Sequence, residues 1–297
     1  MERLHQTMEG SVVARPVPIG STTETRALQW LISITEINAE PNTESIIEAL
    51  LNKPSTVFLL SSLHRLYIRA VGGYDGLDSV LAVMQATGSH HFWVASFHGP
   101  AWSFLHGMHH VGNVGVFQTQ LQIHTMGPAD LSAWLLTQTR AAGFIPRFEG
   151  MLQRPARGPD KLRVMERTER AYWRLLSDAS MGNPTVAVRL WVDGLRAHSD
   201  PKTLNVTVPQ AHDSQVLEQL EDIELFALTA LILHDDMSVN ELHNVLNMAE
   251  ASIRAVCRGL EQQTLITETD HHRYKVRLNW LPAVERHLRR RSFLHKS

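Results

Sequence analysis

The sequence predicts an α/β protein: a parallel sheet first, then a helical region, then a small helical unit closed by a hairpin. Three observations carry this. Short apolar runs at 57–60 and 92–95 are separated by helical stretches, as parallel strands with crossover helices require. Helical periodicity dominates from 127 to 197. After residue 216, three helical stretches precede two extended runs around Asp270-His271-His272.

Residues 12–19 are extended, because Pro16 and Pro18 exclude helix there. A helical stripe of Ala27, Trp30, Leu31 and Ile34 follows within 23–40. Val57-Phe58-Leu59-Leu60 reads as a buried strand, 77–84 as helix, Phe92-Trp93-Val94-Ala95 as the next strand and 116–123 as one more. Residues 129–142 form a helix with Leu131, Trp134 and Leu135 on one face and Gly143 as its stop. A loop rich in Pro, Gly and Arg spans 146–159, and a further helix 162–179. Asn183 is a good N-cap and Pro184 suits the first turn of a helix whose apolar face is Ala187, Leu190, Trp191 and Leu195. Residues 198–215, broken by Pro201 and Pro209, read as a linker. Helices near 217–234, 239–247 and 249–262, strands near 265–268 and 273–276, and a last helix at 281–291 make a winged-helix pattern. The expected domains are thus 1–126, a partial α/β core; 127–197, a helical lid; 198–215, a linker; and 216–297, a winged helix.

Bulk properties exclude several classes. The 297 residues suffice for two or three modest domains, and 43% hydrophobic with 20% charged content is ordinary for a globular chain. A net charge of −2 supplies no global field for nucleic acid or an acidic membrane. One cysteine, Cys257, rules out an internal disulfide framework and fits a reducing compartment. With no membrane-length apolar run and no apolar core near Met1, the sequence reads as cytoplasmic, without membrane insertion.

The order of parts, with Gly182-Asn183-Pro184 opening a helix, resembles the AAA+ superfamily and its STAND relatives, including replication initiators of the origin-binding type. The resemblance covers nearly the whole chain and makes the front an incomplete AAA+-like parallel sheet. It implies a nucleotide, ATP or ADP with Mg²⁺, between core and lid. Residues 57–62 fall where the Walker B strand ends in acids, but Ser61 and Ser62 stand there. Ser96 matches the polar strand end that senses the γ-phosphate. Gly182, Asn183 and Pro184 match the lid element that touches nucleotide, with Thr185 in place of the expected arginine and Arg189 one turn further on. No Gly-x-x-x-x-Gly-Lys-Ser/Thr occurs, and no arginine or lysine lies between Arg69 and Arg140 to act as a finger. The resemblance therefore implies a chain that begins just after the phosphate loop, truncation being the expectation, with a regulatory role and little hydrolysis.

The alternative is a winged-helix DNA-binding regulator with a degenerate ATPase-like front, contacting DNA through Arg254 and Arg258 on the third helix and Arg273 on the wing. A protein partner or self-association is the further option, as for a scaffold with neither ligand. The histidines between 90 and 124 include His106 and His110 at i and i+4, which could chelate Zn²⁺, but Gly107 and Gly112 weaken a helix there. Solvated loop histidines are the default, and no metal site is expected. No Gly-x-Ser-x-Gly elbow marks a serine hydrolase.

Overall fold

A computed structural model describes residues 12–18, 20, 22–107, 116–151, 161–209 and 215–294. The chain divides into two compact units: Met1–Gln120 with Leu220–Val276 and Leu288–Ser297, and Leu121–Gln219 with Arg277–His287.

The first unit opens with three parallel strands, β1 (Val12–Pro16), β2 (Val57–Ser61) and β3 (Phe92–Ala95), in spatial order β1-β2-β3. The register runs Val12↔Val57 to Pro16↔Ser61 and Val57↔Phe92 to Leu60↔Ala95. Phe58, Leu59 and Leu60 are all buried, the unbroken apolar run that a central parallel strand needs. Helices α1 (Glu24–Thr35), α2 (Thr43–Leu51) and α3 (Asp75–Thr87) pack on one another, burying Leu28, Leu31, Ile46, Leu50, Val80 and Leu81. Asn42 caps α2 by accepting from the Ser45 N–H at 2.8 Å. Helix α4 (Gly99–Gly107) follows β3.

The expected strand at 116–123 is a correction. Residues 117–127 hold no regular structure, and Leu121 and Ile123 are 90% and 96% exposed. Their alternation imitates a strand, but a strand persists only where a neighbouring ladder takes up its backbone groups.

The second unit contains α5 (Pro128–Ala141), β4 (Ile145–Arg147), α6 (Lys161–Ser180), α7 (Pro184–Asp193), β5 (Leu195–Ala197), β6 (Thr203–Val206) and the short α8 (Gln215–Glu218). Here the expectation of an all-helical lid is corrected. β4 pairs parallel and β5 antiparallel with β6, which is central. The residues expected as a linker thus include a doubly paired strand. Leu195, expected on the α7 face, belongs to β5, since the chain leaves the helix at Gly194, whose N–H bonds back to Leu190 and Trp191. Phe148, Tyr172, Trp173 and Trp191 form the heart of this core, with Trp173 and Trp191 stacked at 5.1 Å and 29°.

The chain then returns to the first unit. Helix α9 (Asp222–His234) is apolar around nearly its whole circumference and packs on both α4 and α11 (Glu250–Gln262). A three-stranded antiparallel sheet of β7 (Met237–Ser238), β9 (Arg273–Val276) and β8 (Ile266–Glu268), in that spatial order, closes this half together with α10 (Val239–Leu246). Both α9 and α10 begin with a capping box, Glu221 with Glu224 and Ser238 with Glu241. The last helix is α12 (Leu281–Arg290). No helix among the described residues is long and apolar enough to cross a membrane.

Candidate functional site

Ligands of open α/β sheets bind outside the carboxyl ends of the strands, so those ends come first. At the end of β2, the Ser61 carbonyl accepts from the Val17 N–H at 3.1 Å, prolonging the β1–β2 ladder. Ser62 takes a left-handed conformation with φ 61°, which turns the chain sharply into a single 3₁₀ turn, Leu63–Leu66. That turn is tied to the end of β3: the Ser62 N–H donates to Ser96 Oγ at 3.1 Å and the Leu63 N–H to the Ser96 carbonyl at 2.9 Å. Ser62 and Ser96, both expected near a phosphate, are brought together and bond to each other. With Ser61 they are uncharged, and they do not fit the coordination of a Mg²⁺–nucleotide, for which hard carboxylate oxygens are the usual protein ligands.

The 3₁₀ turn carries what the sequence did not single out. Arg65 reaches Asp235 and Asp236 at 3.2 Å each, just past the end of α9. From the other side Arg273 of β9 pairs with Asp236 at 2.5 Å and with Glu241 of α10 at 2.8 Å, and donates to the Asp236 carbonyl at 2.9 Å. Both arginines, Asp236 and Glu241 line a cavity of about 20 Å³, room for about one water, together with Gly20, Thr22, His64, Tyr67 and His234. The aspartate pair directly after an apolar helix is the signal that could have pointed here.

Three histidines adjoin this network. His64 accepts the His98 backbone N–H at 3.2 Å, and its ring lies 5.8 Å from that of His98. Burial, then the neighbouring His98, lowers the His64 pKa to about 4. Burial, then His64, lowers His234 to about 3, and His98 is lowered chiefly by burial as well. His64 Nε2, His98 Nδ1 and the Tyr67 hydroxyl are buried without a hydrogen-bond partner.

The residues expected in a lid lie in the second unit, where their geometry accounts for the Gly-Asn-Pro sequence. Gly182 sits at φ +67°, and a Cβ there would stand 2.6 Å from Thr125 Cβ and 2.7 Å from the Met126 carbonyl. Its own carbonyl accepts from the Met126 N–H at 2.9 Å. Asn183 caps α7 through the N–H groups of Thr185 and Val186 at 3.0 and 3.3 Å, with Pro184 in the first turn. Arg189 pairs with Asp193 at 2.9 Å on the exposed face of the same helix.

The residues proposed for DNA fare unequally. Arg273 is 11% exposed and engaged by two acids. Arg254 is exposed but pairs with Glu250 at 3.2 Å, and Arg258 donates to the Arg254 carbonyl at 3.3 Å. The histidines around 90 are structural: His90 Nε2 contacts the Lys53 carbonyl at 2.6 Å, while His91 bridges the Leu50 carbonyl and the Thr56 N–H at 2.8 and 3.2 Å. His106 stacks on Trp102, and His109 and His110 lie outside the described residues. Among the described residues no group of three or more His, Cys, Asp and Glu is placed to hold a metal ion.

No family model matches the chain, and no curated protein matches it. Among solved structures, the chain is similar to a Walker-type ATPase of Pyrococcus abyssi, 12% identical over 96% of this chain and 85% of that one, with a TM-score of 0.36. It is also similar to the ORC2 protein of Aeropyrum pernix in ADPNP–ADP complexes, 11% identical over 98% and 82%, with a TM-score of 0.35.

Proposed function

We propose that this chain is an AAA+/STAND-like regulatory module in which the C-terminal helices and sheet form a winged helix docked onto the α/β core rather than a DNA reader. In this reading the described residues do not make a working hydrolytic site for ATP or ADP with Mg²⁺. The observation that carries the proposal is the ion network. Arg65 from the core and Arg273 from the wing strand converge on Asp236, so the charges that could have met phosphate neutralise acids within the same unit. Further support comes from α9, whose apolar surface packs on α4 as well as on α11. The parallel order β1-β2-β3 and the uncharged strand ends at Ser61, Ser62 and Ser96 agree with it.

The test is calorimetric titration of the purified chain with ATP and with ADP in the presence of Mg²⁺, alongside phosphate release. The expected result is no turnover and no rise in unfolding temperature at ligand levels that would stabilise a micromolar binder by about 2.7 kcal/mol at a hundredfold excess over Kd. Micromolar binding with turnover would defeat the proposal. Replacing Arg254 and Arg258 by alanine is expected to leave the thermal transition within about 0.5 kcal/mol, as for other exposed positions.

A further inference from the structure

Helix α6 carries a charged face that neither the fold nor the proposed function employs. Its inward side packs Tyr172, Trp173 and Leu176 into the aromatic core. Its outward side presents Arg163, Arg167, Arg170 and Arg174, all exposed. The spacing of four, three and four residues keeps all four within about 60° of one another around the axis, in a row about 16 Å long at 1.5 Å per residue. Among the described residues none of the four has a hydrogen-bond or ion-pair partner, although Glu166 stands at the favourable i−4 position to Arg170. Glu169 is turned away to accept the Trp173 Nε1–H at 3.3 Å. At the far end of the row Arg286, also exposed, donates to the Asp178 carbonyl at 3.2 Å, one turn beyond Arg174, and so adds a fifth guanidinium.

An unpaired row of arginines on a helix held rigid by its buried side is suited to a repeating anion. Guanidinium forks match phosphate bidentately, and duplex DNA presents one negative charge per about 1.7 Å of axis, so a 16 Å row faces several phosphates at once. The half-exposed apolar residues of α6, Val164 and Leu175, lie a quarter-turn or so to one side of the row, not along it, which disfavours insertion at a lipid surface. The chain's net charge of −2 gives no general attraction to polyanions, so the affinity has to be local. We propose that the arginine row of α6 binds the phosphodiester backbone of a nucleic acid without reading its bases. This surface is distinct from α11, where Arg254 is paired with Glu250.

The experiment is fluorescence anisotropy of the full chain with a labelled duplex DNA, a single-stranded DNA and a duplex RNA of the same length, each titrated from about 50 to 200 mM salt. Four phosphate contacts predict a slope of log K against log salt of about −3.6 on duplex DNA, hence about a hundredfold weakening over that range. The three nucleic acids identify which backbone is preferred. Changing Arg163, Arg167, Arg170 and Arg174 together to alanine is expected to weaken binding about a hundredfold or more at low salt, whereas the matching lysine variant, which keeps the charges but not the forks, retains the salt slope with an intermediate affinity. Arg254→Ala with Arg258→Ala is expected to change little. Absence of binding at about 50 mM salt, loss of binding in the α11 variant instead, or capture by anionic vesicles but by no nucleic acid would each overturn the proposal.

Discussion

Two sets of arginines, Arg65 with Arg273 in the first unit and those of α6 in the second, are treated in opposite ways. In the first, Arg65 and Arg273 are drawn in, with side chains only 22% and 11% exposed, and their charges are matched by Asp235, Asp236 and Glu241. In the second, the α6 arginines stay in solvent, and the core is closed by aromatic rings. A buried cation must be paired or it destabilises, so the first unit is fixed by a network in which each member needs the others. Aromatic packing needs no such matching and leaves a helix face free for other chemistry. Charge is structural in the first set and available in the second.

The largest effect is expected from the aromatic side. Trp191 is 3% exposed, stacks on Trp173 and donates its indole N–H to Thr139 Oγ1 at 3.0 Å. Trp191→Ala is expected to destabilise the second unit by about 4 kcal/mol in urea denaturation. A loss under about 1 kcal/mol would show that the rings do not carry this core.

Next comes Arg273→Ala, which leaves Asp236 and Glu241 charged and largely buried. The expected loss is about 3 kcal/mol, read from the urea midpoint of the first unit. Asp236 keeps Arg65, so the charge left unmatched is Glu241, and Arg273→Met combined with Glu241→Gln, which retains the α10 cap, should recover most of the loss. If the double variant is no better than the single one, the network contributes specific attraction beyond mutual neutralisation.

These two regions were unequally legible in the sequence. Part of the second unit's core was visible, since Leu131, Leu135, Leu190 and Trp191 recur at helical spacing, whereas Phe148, Tyr172 and Trp173 were not singled out. So were β2 and β3, whose short apolar runs fit buried parallel strands. The sheet β4-β6-β5 was not, because strands of three or four residues, one containing Pro146, have too few positions to show a period. The segment 116–123 failed for the converse reason, showing the period without a neighbouring ladder. Among site residues, Ser62 and Ser96 could be placed at neighbouring strand ends from order alone. The Arg65 and Arg273 pairings could not, as Arg65 lies 170 and 171 positions from Asp235 and Asp236 and Arg273 lies 37 from Asp236, beyond the reach of local pattern. Gly182-Asn183-Pro184 was legible as a helix start, and its close approach to Thr125 and Met126 was not.

A smaller effect probes the histidines beside the network. His64 faces His98, Arg65, Asp235 and Asp236, and His234 faces His64, Arg69 and Arg273. Both are held neutral in the folded state, with pKa values of about 4 and about 3 against an ordinary 6.5. As pH falls below 6.5 the unfolded chain takes up protons that the folded chain refuses, so stability drops between about pH 6.5 and 4. By pH 5.5 the loss is about 1.4 kcal/mol per histidine. Urea midpoints of the wild type and of His64→Gln across this range read it, the variant being expected to show the shallower decline. Parallel pH profiles would remove His64 from the account.

The smallest expected effect is the sharpest contrast with Arg273. Arg189 and Asp193 form an ion pair at 2.9 Å, comparable in length to the Arg273–Glu241 contact at 2.8 Å, but their side chains are 63% and 49% exposed. In water the attraction is screened and holding both chains still offsets much of it, so Arg189→Ala is expected to change stability by less than about 0.5 kcal/mol. Two pairs of nearly equal length would then differ severalfold in effect, and burial, with the second acid and the carbonyl that Arg273 also engages, would account for the ratio. If Arg189→Ala instead destabilises as much as Arg273→Ala, distance governs these pairs and the comparison between the units fails.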